Sequence, residues 1–119
     1  MVVALHQVLA NTLWMYLLAC GLWGVLLYLR SRPVTSGYGG ALVIGQAVVV
    51  LQGLLGVLLL VDGAAPRQGM HLLYGVASAV ALPLAHVYAR EHKGRNQPLL
   101  YGLACLFTFG LVLRAAGTA

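Results

Sequence analysis

Four apolar stretches, none containing Asp, Glu, Lys or Arg, govern what this chain can become. They run over residues 2–29, 41–61, 70–89 and 98–113. Crossing a hydrocarbon core of about 30 Å takes about 20 helical residues. A segment in lipid must satisfy its backbone polar groups internally, so these stretches are expected as transmembrane helices. The first is long enough to tilt or to project past the bilayer.

Composition excludes the obvious alternative. Of the 119 residues 61% are hydrophobic and 8% charged, whereas a soluble domain carries about a quarter charged residues. Seven basic and two acidic side chains cannot coat a water-facing surface. The formal charge of +5 raises the question of a nucleic-acid partner. The basic residues, however, sit at the ends of the apolar stretches rather than along one face, so no nucleic acid is expected and topology explains them.

Arg30-Ser31-Arg32-Pro33 closes the first stretch, and residues 35–40 read as a turn-rich connection. Asp62-Gly63 ends the second, and Arg90-Glu91-His92-Lys93-Gly94-Arg95-Asn96-Gln97 follows the third. Pro98 suits the first turn of the fourth helix. Arg30, Arg32, Arg90, Lys93 and Arg95 lie in the first and third connections, against Arg67 and Arg114 on the other side. Short loops with such an excess of Lys and Arg stay in the cytoplasm, which puts both termini outside. The expected fold is all-α, an up-and-down four-helix bundle. The expected location is a cell membrane, most naturally a prokaryotic plasma membrane, crossed by several passes.

Leu17-Leu18-Ala19-Cys20 matches a lipoprotein cleavage box. No Lys or Arg precedes it and the apolar run continues beyond Cys20, so the first segment is expected to persist as a helix. Cys20 and Cys105 both lie within apolar runs and read as small buried hydrophobes.

Without an intramembrane carboxylate the chain cannot exchange protons for substrate as small multidrug exporters of this size do. Histidine remains. His6 lies about one turn into the first helix and His71 opens the third, at matched depth near the outer face. In a four-helix bundle those helices are diagonal, and two such imidazoles can hold a haem iron from both sides. Gly53, Gly56 and Gly75 stand near that depth and would leave flat walls for a porphyrin, while Arg67 and Arg114 at the rim could pair with its propionates. The bland reading of His6 and His71 is a pair of interfacial helix caps.

His86 reads as structural and His92 as solvated. Gln46, Gln52 and Ser78 are expected to hydrogen-bond between helices, with contact to a quinone as the functional alternative. Gly21, Gly24, Gly45, Gly102 and Gly110 are expected to bring helices close together, and Pro83 to kink the third helix.

Three segments resemble the heme A synthase family. Leu5-His6-Gln7-Val8-Leu9-Ala10 looks like its first histidine segment, Val50-Leu51-Gln52-Gly53-Leu54-Leu55-Gly56 like the helix that follows, and Met70-His71-Leu72-Leu73 like its second histidine segment. That family has two pseudo-repeated four-helix halves, each with a histidine pair, and residues 5–90 here would correspond to one half. The family's glutamate before the first histidine is replaced by Val2, Val3 and Ala4, the following Arg by Gln7, and the outer-loop cysteines are absent. The resemblance implies haem b binding without oxidation of a haem methyl group, and pairing with other membrane subunits or a second copy. On this reading the chain serves electron transfer or haem handling in a respiratory or photosynthetic assembly. No acid–base pair or nucleophile marks it as an enzyme by itself. A cofactor-free structural subunit of a membrane complex is the competing expectation.

Overall fold

The computed structural model describes residues 2–63, 69–92, 94 and 96–118. Four helices account for nearly all of them: α1 (Val2–Leu29), α2 (Ser36–Val61), α3 (Met70–Glu91) and α4 (Gln97–Thr118). All four are long and apolar enough to cross a membrane. They form an elongated bundle of 48 × 23 × 20 Å. Large apolar side chains cover its outside, among them Val43, 70% exposed, and Val61, 78% exposed. Continuous apolar cover of this kind marks lipid as the surrounding medium.

Two helices are longer than the apolar runs alone suggest. α2 starts at Ser36, inside the stretch expected to be a turn-rich connection. Thr35 caps it, its hydroxyl accepting from the Tyr38 N–H at 3.1 Å. Tyr38 then anchors the first turn: it is fully buried and donates its hydroxyl to the Cys20 carbonyl at 3.0 Å. Cap and anchor together outweigh the low helix preference of Gly37, Gly39 and Gly40. α4 continues past Leu113 to Thr118 because Arg114, Ala115 and Ala116 are all good helix formers.

The end of α1 follows a Schellman pattern. The Arg32 N–H bonds the Leu27 carbonyl at 2.8 Å and the Ser31 N–H bonds the Tyr28 carbonyl at 3.0 Å. Ser31 occupies the left-handed position, φ 54°, that glycine usually fills. Pro33 follows and prevents the helix from resuming.

Packing is uneven around the bundle. α1 and α4 make the most extensive contact, α3 packs on α4, α1 on α2, and α2 touches α3 least. α1 and α3 therefore stand on one diagonal and α2 and α4 on the other. The α1–α4 seam is close because glycines face glycines. A Cβ built on Gly102 would lie 2.9 Å from the Val25 nitrogen and 3.0 Å from the Gly21 oxygen. One built on Gly24 would collide with the Tyr38 hydroxyl. Small residues at the crossing let the backbones meet, as helix association in lipid favours. Gly110, by contrast, meets nothing within 4 Å and takes no part in such a crossing. The main core beside this seam gathers Leu13, Leu17, Cys20, Val49, Leu82, Cys105 and Val112.

Polar groups inside the bundle tie helices together. Tyr16 donates to the Ala41 carbonyl at 2.6 Å, Gln46 to the Ala79 carbonyl at 2.9 Å and Gln52 to the His6 carbonyl at 2.7 Å. The Gln46 bond has a specific cause. Pro83, inside α3, has no N–H to give the carbonyl four residues earlier, which is that of Ala79, and the Gln46 amide takes its place. Ser78 departs from the interhelical expectation: it donates to Gly75 within its own helix at 2.8 Å. A serine hydroxyl is short and reaches its own preceding turn more readily than a neighbouring helix.

Candidate functional site

His6 lies one turn into α1 and His71 opens α3, so both imidazoles hang at the same end of the bundle on diagonal helices. Their ring centres are 6.2 Å apart with the planes at 68°. A shared metal would set a similar separation if one nitrogen of each ring pointed at it along the line between the rings. Two metal–nitrogen bonds of about 2 Å, with roughly 1.1 Å from each bonding nitrogen to its ring centre, add to about 6 Å. Rotation about either bond leaves the angle between the planes free.

The orientation of His71 is fixed by α4. Its Nδ1 lies 2.7 Å from the Ala115 carbonyl oxygen. A carbonyl only accepts, so Nδ1 carries the proton and the lone pair of the neutral ring resides on Nε2. Backbone support of this kind, on the nitrogen that does not bind, is the usual way in which a metal-ligating histidine is held in its tautomer. Ala115 lies beyond the expected end of the fourth helix, and nothing in its identity marks it as a partner. Only the length and rotation of α4 bring its carbonyl to the ring.

His6 is held differently. Its backbone carbonyl accepts from Gln52, and its ring faces Gly56, where a built Cβ would lie 3.6 Å from Cε1. Its Nδ1 is buried and makes no hydrogen bond, and neither does Oε1 of Gln52. Buried nitrogen and oxygen atoms left unpaired cost free energy that a ligand or a bound group can recover.

Of the other residues expected at the site, Gly53 and Gly75 both have open space where a Cβ would stand. Arg114 is exposed at the same end, its guanidinium 5.9 Å from the centre of the Tyr74 ring. Arg67 lies outside the described residues. Among the described residues, no group of three or more His, Cys, Asp and Glu is placed to hold a metal ion.

The remaining histidines lie apart from this pair. His86 Nδ1 is 2.8 Å from the Tyr101 hydroxyl, a pairing that the spacing of polar residues alone does not reveal. The matched depth of Tyr101 in the first turns of α4 and His86 in the last turns of α3 is the signal that points to it. His92 is exposed and stacks on Tyr88 with ring centres 4.0 Å apart, its Nδ1 donating to the Tyr88 carbonyl at 3.0 Å. No protein-family model matches the chain, nor does any curated protein or solved structure.

Proposed function

We propose that this chain is a b-type haem-binding membrane subunit in which His6 and His71 are the axial ligands, serving electron transfer or haem handling within a larger assembly. One observation carries the reading: the two imidazoles stand 6.2 Å apart on diagonal helices, close to the spacing that one iron between facing nitrogens would set.

The donor set favours a macrocycle over a bare ion. Two nitrogens cannot complete the coordination of a metal, and no third His, Cys, Asp or Glu among the described residues joins them. A porphyrin brings four equatorial nitrogens of its own and needs only the two axial ones. When bound, it would supply a one-electron iron couple in a water-poor setting. The chain's own part is to hold the ligands. Ala115 keeps the proton of His71 on Nδ1 and so presents Nε2. Gln52 pins the backbone of His6. Gly53 and Gly75 are both exposed, with open space where a Cβ would stand. Placing the basic connections in the cytoplasm sets the histidine pair on the outer side, with Arg114 at the same end as a candidate partner for a propionate and Arg67, by its place in the sequence, as a second candidate.

The test is a reduced-minus-oxidised absorbance spectrum of protein purified from haem-sufficient cells. A b-type signal is expected in the parent and in His92→Ala, and loss of that signal in both His6→Ala and His71→Ala. Absence of haem in the parent, or a signal untouched in either ligand variant, would overturn the proposal. A cofactor-free packing subunit would then be the reading left.

A further inference from the structure

At the end of the bundle opposite the histidine pair, the sparse contact between α2 and α3 leaves a cavity of about 550 Å³, open to the outside of the bundle at Val43, Pro83 and His86 and lined by residues of α2, α3 and α4. Leu42, Val43 and Leu82 give it apolar walls, and Gln46, His86 and Tyr101 contribute its polar groups. A largely apolar cavity with a few converging polar groups is the usual form of a small-molecule site.

The polar groups have an order. Tyr101 and His86 are joined through the tyrosine hydroxyl and Nδ1, so the pair acts as one unit at the cavity's outer end, with His86 exposed. Gln46 stands deeper. Its amide nitrogen is committed to the carbonyl that Pro83 leaves without a partner, so its Oε1 is a buried acceptor with no donor. The Gln46 amide is level with Ala79, and His86 lies seven residues further along α3, about 10 Å by helical rise. The cavity therefore offers an imidazole–phenol pair at one end and an unpaired acceptor at the other. It is walled by hydrocarbon between them.

We propose that this cavity binds a lipid-soluble 1,4-dihydroxy aromatic ring, a molecule of the quinol class. One hydroxyl would meet His86 and the other Gln46. A ring of this kind with a hydrogen bond of about 2.8 Å at each end spans roughly 8–11 Å, which matches the separation of the two polar ends. An acyl chain would fill the apolar volume but leave both ends unsatisfied. The side of the cavity between α2 and α3 offers an isoprenoid or alkyl tail a way out to lipid. The site is separate from the histidine pair and does not depend on haem being bound there.

The experiment is a calorimetric titration of the purified chain, in quinone-free lipid nanodiscs, with decyl-substituted 1,4-benzoquinol kept reduced by ascorbate. Saturable binding at one molecule per chain is expected. His86→Phe, at an exposed position, should weaken it roughly three- to tenfold, the loss of about one hydrogen bond. Tyr101→Phe should weaken it similarly, and the dimethyl ether of the same quinol should bind worse than the quinol to the parent. Failure to saturate, equal affinity for the ether, or unchanged affinity in both variants would overturn the proposal. His6→Ala should leave this binding intact, so the quinol site and the haem site can fail independently.

Discussion

Adding one methyl group at Gly102 tests whether the α1–α4 seam holds the bundle together. In Gly102→Ala the new carbon would stand 2.9 Å from the Val25 nitrogen, 3.0 Å from the Gly21 oxygen and 3.1 Å from the Gly24 carbonyl carbon. Favourable contacts lie at about 3.5–4.0 Å, so the two helices must part by about half an ångström or more. All three neighbours are helical backbone, and no side-chain rotation relieves them. A gap of that size forfeits about a quarter or more of each dispersion contact along the seam, including those around Leu13, Leu17 and Cys105. Overpacking of this kind costs about 1–3 kcal/mol, and the helix preference of Ala returns up to about 1 kcal/mol. The expected net loss is about 1–2 kcal/mol. Gly75→Ala is the matched control, because its Cβ meets nothing within 4 Å and it should be as stable as the parent or slightly more so. The assay is reversible unfolding in mixed micelles with increasing denaturing detergent, followed by the fluorescence of Trp14 and Trp23. Gly102→Ala with the stability of the parent, or Gly75→Ala losing as much, would refute the account of the seam.

Two further substitutions probe separate features. Tyr38→Phe removes the hydroxyl that reaches the Cys20 carbonyl while keeping the ring stacked edge-on to Trp23, and should lower stability by about 0.5–1.5 kcal/mol in the same assay. A variant as stable as the parent would show that this bond contributes nothing net. Ser31→Gly relieves a left-handed residue at the end of α1 and should raise stability by about 0.5–1 kcal/mol. A loss in that variant would mean that the serine side chain, and not the backbone turn, matters there.

The histidine pair was legible in the sequence because depth in a membrane follows from position along a helix. His6 and His71 each lie about one turn or less from a helix start at the same end of the bundle, and their ring centres stand 6.2 Å apart. The glycines were legible only as a class. Gly21, Gly24, Gly45 and Gly102 turn out to be close-packed, while Gly53 and Gly75 face open space. Small residues carry no label that separates a helix crossing from a gap. The start of α2 was misread from composition, since Gly37, Gly39 and Gly40 suggest a turn until the Thr35 cap and the buried Tyr38 are seen to hold the helix.

Composition along the chain by itself determined the four apolar helices and the absence of charge from their central stretches, because hydrocarbon excludes charge wherever a segment meets it. The tertiary structure alone decided which groups meet: His71 with Ala115, His86 with Tyr101, and Gln46 with the carbonyl that Pro83 sets free. The reason lies in helices that are apolar on every side. Such a helix has no polar stripe to declare which face turns inward, so its rotation and its partners are set only when the backbones pack.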